Sequence, residues 1–421
     1  MRHEPSTSVS ATNNLAVDTG VANGAASRLP LVALCVTEIT SWGILYYAFP
    51  VLAPTINRNT GWSTGSITAA FSIALILAAV GGIPVGRALD RHGPRGLMTG
   101  GSVVAVLAVV GLATAPNLAW FVAAWALAGI AMTAVLYQPA FAALTRYYAP
   151  RHLPALTTLT LVAGLASTVF APLTNALVSH MSWRAVYFVL AGLLAAVTIP
   201  LHYYALRQPW PPPIERDRPS ESEGPTRERT AHTRVAEVVC SLPFLLLTTA
   251  LALSAFSMYA VLTNLIPLLT ARGASSTIAT WALGLGGLGQ VAGRLCYGSL
   301  ARRSSVRTRT VCILAGSAVT TTALAALPGP IALLIVIAVL AGTMRGIATL
   351  LQATAISDRW GTAAYGSLSG ILAAPATIAG AVAPVAGATI ATALGGYPTL
   401  FAALAATAGL AALLAAGSVP R

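Results

Sequence analysis

Lysine is absent from this chain of 421 residues, and charged side chains of any kind make up only 8% of it. Soluble domains carry about a quarter charged residues, so a water-facing globular surface over most of the chain is excluded. Without lysine there is no phosphate-cradling loop of the Gly-x-x-x-x-Gly-Lys type, which excludes ATP as an energy source through that motif. Cysteine is nearly absent. Cys35, Cys240, Cys296 and Cys312 lie in or beside apolar runs without metal-ligand spacing and read as small packing residues. The six histidines, at positions 3, 92, 152, 180, 202 and 232, stand in tails or near the ends of apolar runs. No acid pairs with them, so no catalytic constellation is expected and the chain reads as a non-enzyme without cofactor or metal. The first 28 residues lack an apolar core followed by a small-residue cleavage site, so they read as a disordered cytoplasmic tail rather than a cleaved leader.

What the sequence has in abundance is apolar length, with 56% hydrophobic residues. A helix needs about 20 apolar residues to cross a bilayer. Twelve runs meet that need: 31–56, 64–86, 97–115, 118–143, 154–179, 185–206, 241–270, 276–300, 310–327, 331–356, 364–391 and 398–418. The net charge of +13 comes entirely from arginine. These arginines alternate between loops instead of gathering on one face, which argues against nucleic-acid binding. Only Arg58, Arg184 and Arg272 fall on one side of the expected bilayer, while the other side takes nearly all the rest. By the positive-inside rule both termini are cytoplasmic, in a multi-pass protein of the cell (inner or plasma) membrane.

The stretch from Arg207 to Glu237 breaks the apolar pattern with Pro209, Pro211, Pro212 and Pro213 followed by a charged, serine-rich segment. It cannot bury enough apolar surface to fold and reads as a linker. The expected organisation is a tail over 1–28, a six-helix half over 29–207, a cytoplasmic linker over 208–238 and a second six-helix half over 239–418. The halves align on each other without gaps at an offset of 212 residues. Gly86 matches Gly298, Arg91 matches Arg303, Tyr47-Ala48 matches Tyr259-Ala260, Gly61 matches Gly273, Ser63 matches Ser275, and Ala171-Pro172 matches Ala383-Pro384. A parallel duplication follows, of the kind in which two halves rock about a site near the bilayer midplane.

Between the second and third runs lies Gly86 to Gly96, read as GRALDRHGPRG. Asp90, among Arg87, Arg91 and Arg95, stands near the negative end of the preceding helix, where an acid needs an offsetting partner. That partner is either Arg91 or Arg95, or the positive N-terminus of another helix. The pattern Gly86-x-x-x-Asp90-Arg91-x-Gly93-x-Arg95 resembles the loop between helices 2 and 3 of the major facilitator superfamily of secondary transporters. Pro94 stands where that family usually has a basic residue. The resemblance implies an all-α membrane fold of twelve helices in two halves, alternating access, gating roles for Gly86, Asp90, Arg91, Gly93 and Arg95, and a monomer carrying a small solute. In the second copy Arg302 replaces the acid, so a charge-based latch is expected to depend on the first hairpin. Pro172 and Pro384 fall within helices and read either as pivots or as fixed kinks.

Three charged residues remain inside apolar runs: Glu38, Arg294 and Arg345. A charge at a helix centre costs about 2.5–3.5 kcal/mol on insertion scales, so each needs a partner, water or a function. Glu38 takes and releases a proton, neutralises Arg345 or Arg294 as a static pair, or lies close enough to the cytoplasmic interface to be hydrated. Arg294 either anchors an anion or pairs with a helix end, and Arg345, next to Gly346, has the same two options. Tyr46, Tyr47, Phe49, Tyr137, Gln138, Asn264 and Gln352 fall on helices 1, 4, 7 and 10, the set that lines the cavity in facilitators. Tyr47-Ala48-Phe49-Pro50, Gly61-Trp62 and Arg294 with Gly298 resemble the monocarboxylate porters and related bacterial anion porters. In that group the helix 8 arginine binds the substrate carboxylate. Its lysine after the helix 1 proline is Val51 here, which leaves Glu38 as the candidate proton carrier. Two functions follow as expectations: proton-coupled movement of a small organic anion, or efflux of a lipophilic or cationic compound.

Overall fold

The computed structural model describes residues 28–210, 235–362 and 364–419. The expected tail, apart from Arg28, and most of the expected linker lie outside the described residues. Within them the twelve apolar runs become twelve long helices. These are α1 (Leu29–Thr60), α2 (Thr64–His92), α3 (Pro94–Ala113), α4 (Leu118–Tyr147), α5 (Leu153–His180) and α6 (Trp183–Ala205). The second set is α7 (Leu242–Ala271), α8 (Ser276–Arg303), α9 (Val306–Ala326), α10 (Ile331–Thr354), α11 (Tyr365–Ala393) and α12 (Tyr397–Ala415). Eleven are long and apolar enough to cross a membrane. The other, α8, is as long as its neighbours, but its many glycines with Gln290 and Arg294 make it less apolar. Large apolar side chains such as Leu107, Leu288, Val385 and Leu413 point outward and exposed, as expected of a surface whose solvent is lipid.

Helix ends are set by local chemistry. Ser63, Asn117, Ser182, Ser275 and Ser305 each stand extended just before a helix and accept the backbone N–H three residues on, which satisfies an otherwise orphaned donor. Gly61 and Gly273 close the turns after α1 and α7 with φ of +73° and +88°, values that disfavour any other residue. The pairs Ser63 with Ser275 and Gly61 with Gly273 therefore do the same work in the two copies. The correspondence runs further, because every helix from α7 to α12 starts within two residues of the point 212 positions after its counterpart among α1 to α6.

Three helices are interrupted. In α1 a π-helical turn spans Gly43–Tyr47, and wide turns of this kind are frequent at functional sites. In α4 the chain becomes extended at Leu136, where Pro139 has no N–H to offer the carbonyl four residues before it. In α5 the helix breaks at Gly164–Leu165. Neither Pro172 nor Pro384 interrupts its helix.

Candidate functional site

The first and second helix sets meet closely at the end that carries the α2–α3 hairpin. There α2 lies against α11 with glycine facing glycine: a Cβ on Gly86 would come 2.1 Å from the carbonyl oxygen of Gly366, and one on Gly370 would come 2.4 Å from that of Gly82. The contact brings Asp90 to the start of α11. Its carboxylate accepts the Gly366 N–H at 2.9 Å, the Ser367 N–H at 2.7 Å and the Ser367 hydroxyl at 2.7 Å. Ala364, the residue just before α11, has no capping side chain, so Asp90 supplies the cap from another helix and meets the positive end of its dipole. Of the two partners open for Asp90, the structure contains the helix N-terminus.

The hairpin itself is braced. Gly93 turns the chain at φ +76°. The Asp90 carbonyl accepts from the Trp210 indole at 3.3 Å and from Arg146 at 3.4 Å, and the Arg146 guanidinium lies over the Trp210 ring. Arg95 turns the other way, donating to the Tyr203 carbonyl at 3.0 Å and stacking on that ring.

At the repeat-related position the clamp is not rebuilt. Arg302 replaces the acid, and Pro154, which stands where the other copy has Gly366, has no N–H to give. Another contact closes this side. Arg294 of α8 is buried and donates from Nη1 to the Thr160 carbonyl of α5. It fits against the break at Gly164, where a Cβ would come 2.4 Å from Nη1. Nearby, His152 and the Ser357 hydroxyl are 3.3 Å apart. Burial pushes the His152 imidazole below its ordinary value, against the opposing pull of Asp358.

Deeper in, the wide turn of α1 places Trp42, Tyr46 and Tyr47 in mutual ring contact, with Tyr137 of α4 5.0 Å from Trp42. Gly43 makes the turn possible, because a Cβ there would run into the Phe170 ring of α5. Arg294 and Arg345 both act electrostatically on Tyr47 and on Tyr259 of α7, so the two guanidinium groups share one neighbourhood. Arg345 donates to the Gln290 amide oxygen at 3.1 Å. Glu38 is fully buried, and neither carboxyl oxygen has a hydrogen-bond partner among the described residues. Trp42, one turn on, brings its indole N–H toward the carboxyl as a donor, outside the geometry of a full hydrogen bond.

Of the residues expected to line the cavity, Glu38, Tyr46, Tyr47, Tyr137, Arg294 and Arg345 come together here. Phe49 instead stacks on Phe71 at 4.4 Å inside the core of the first helix set. Asn264 donates back to Ala260 on its own helix and packs on Gly387 of α11. Gln138 packs on Gly82 of α2 at the seam, and Gln352 stands in the last turn of α10. Tyr259 and Gln290 belong to the site but were not expected there. Tyr259 is the repeat partner of Tyr47, a signal present in the alignment of the halves, whereas Gln290 has only its place one turn before Arg294. No group of three or more metal-ligating side chains occurs among the described residues.

Set against known proteins, residues 34–371 and 247–421 match the profile of the Major Facilitator Superfamily. The chain is 26% identical over 224 residues to monocarboxylate transporter 13 of Rattus norvegicus, covering 52% of this chain and 48% of that protein. It is also 34% identical over 127 residues to an uncharacterized 38 kDa protein in a 23S RNA operon of Thermoproteus tenax, covering 30% and 34%. The matched stretches thus span about a third to a half of these relatives. Among solved structures, a variant of the E. coli fucose:proton symporter FucP superimposes with a TM-score of 0.71 over 93% of this chain and 99% of that chain at 14% identity. FucP in the outward conformation gives 0.72 over the same shares at 13%. At such identity these two likenesses concern the fold.

Proposed function

The chain belongs to the Major Facilitator Superfamily, and on that premise we propose that it couples the movement of a small organic anion to that of a proton by alternating access. It is a multi-pass membrane transporter and not an enzyme. The observation that carries the anion reading is the charge balance of the seam. The described residues hold four acids, of which Glu237 and Asp358 lie outside the twelve helices. Asp90 is engaged by α11 and Asp358 by Arg309. Glu38 pairs with neither arginine. Arg294 and Arg345 therefore face the seam with no acid to neutralise them, and a guanidinium fork suits a carboxylate.

In this reading Arg345, with Tyr47 and Tyr259, receives the carboxylate. Arg294 is held on α5 while the hairpin end is closed and becomes free for the anion when that end opens. Glu38 carries the proton, since an ionised carboxyl without partners in this place would cost several kcal/mol. The hairpin end is cytoplasmic, the closed contacts there correspond to a state open to the outside, and the protein works as a monomer in the cell membrane. The likeness to monocarboxylate transporter 13 supports the substrate class.

Flux of labelled lactate or pyruvate into proteoliposomes tests the proposal. Uptake is expected to fall at least tenfold in Arg345→Ala and in Arg294→Ala. Unchanged uptake in both variants would rule the anion reading out. One observation favours the second reading, efflux of a lipophilic or cationic compound: Glu38 sits among aromatic rings, near Trp42 and Tyr137. Resistance to toxic cations that vanishes in Glu38→Gln, without carboxylate flux, would select it.

A further inference from the structure

The duplication lets each position in one copy be compared with its counterpart in the other. In the first copy, the space between α1, α2 and α4 is filled with rings. Trp42, Tyr46, Phe49, Phe71 and Trp125 stack or meet edge to face. Displaced by 212 residues, those positions are Ser254, Met258, Val261, Leu283 and Ile337. Every ring has given way to a smaller side chain. Where the rings would lie, the second copy has a small open cavity, walled by α7, α8, α9 and α10 with Ala408 of α12.

Lost volume alone would leave an apolar hole, which stays dry. The wall has changed in a second way. Ala105, Ala108 and Val109 of α3 are buried in the ring cluster, and their counterparts on α9 are Ser317, Thr320 and Thr321, all of which line the cavity. Ser317 donates to the Ile313 carbonyl, Thr320 to Gly316 and Thr321 to Ser317. With their protons committed to backbone, these hydroxyls offer lone pairs to whatever enters. Arg345 lines the same cavity, and its counterpart in the first copy is Thr133, so the cation too is particular to this side. Much of the remaining wall is apolar, including Leu262, Leu265 and Leu324, so the cation and the hydroxyls are the groups that select. A solute with an anionic end and hydroxyl donors matches these polar groups.

We propose that this cavity recognises the far end of the transported anion, and that the substrate is a small hydroxylated carboxylate. Arg345 takes the carboxylate, and the α9 hydroxyls accept hydrogen bonds from hydroxyl groups of the substrate. The inference rests on the anion reading above and narrows it.

Thermal unfolding of the purified full-length protein, titrated with matched acids, tests it. Glycerate is compared with propionate and gluconate with hexanoate, with glycerol as the uncharged control. In the wild type, at least one hydroxylated acid is expected to stabilise at a concentration about tenfold lower than its plain partner, the worth of one or two hydrogen bonds. In Ser317→Ala/Thr320→Val, which keeps side-chain size nearly constant, that advantage should shrink to within about twofold, and in Arg345→Ala both acids of the pair should lose their effect. Plain acids that bind as tightly as their partners, still dependent on Arg345, would overturn this inference and leave the anion reading standing. Glycerol acting as strongly as glycerate would overturn it also. No effect of any of the four acids, or effects that persist in Arg345→Ala, would remove the anion reading and this inference together. Should the double variant fail to fold, the matched pairs in the wild type still decide.

Discussion

Replacing Asp90 by asparagine would keep the side chain's size while removing the charge that faces the start of α11. Hydrogen bonds to a charged group contribute roughly 1.5–3 kcal/mol each, and Asp90 accepts three. Asparagine retains one acceptor oxygen, so a net loss of about 1–3 kcal/mol is expected, enough to move a two-state equilibrium about 5- to 150-fold toward the open hairpin end. Spin labels on His92→Cys and Arg307→Cys, in a background without the native cysteines, report that equilibrium as a distance. An unchanged distance distribution in Asp90→Asn would show that the clamp contributes nothing. At this scale the sequence revealed which residues carry charge, but not all their partners. The cap that Asp90 provides lies 276 residues away, and the partner of Arg294 is a backbone carbonyl, which leaves no mark in a sequence.

The contact between α2 and α11 depends on absent side chains. Gly86→Ala would place a methyl group 2.1 Å from a backbone oxygen, and backbone cannot yield as a flexible side chain can. The closed hairpin end should therefore not form in Gly86→Ala, and the same spin-label pair should report only the longer distances. Wild-type distances in that variant would contradict the packing described. Helix positions were legible because apolar length and serine and glycine caps are local signals. The interruptions were less so. Pro172 and Pro384 drew attention as pivots or fixed kinks, and both helices continue through them. Gly43 and Gly164 instead mark the irregular places, since what matters there is the close approach of Phe170 and Arg294.

For the whole molecule, twelve helices that start in register at one offset let each copy be read against the other. That comparison identifies Tyr259 from Tyr47, explains why only the first hairpin clamps, and turns the ring-filled space of the first copy into evidence about the hollow in the second. Its charge pattern sets the function proposed: two cations bonded only to neutral oxygens, and one acid without an ion pair, held at the seam between the copies. Proton coupling follows if Glu38 must be neutral whenever the seam is closed around the anion. The most direct measurement is the pH inside proteoliposomes, followed with a trapped dye, when an inward gradient of a small carboxylate that the protein transports is imposed without a pH gradient. The account predicts that wild-type protein acidifies the lumen in step with carboxylate entry and that Glu38→Gln moves carboxylate, if at all, without acidification. Carboxylate entry with no proton movement in the wild type, or the same acidification in Glu38→Gln, would contradict it.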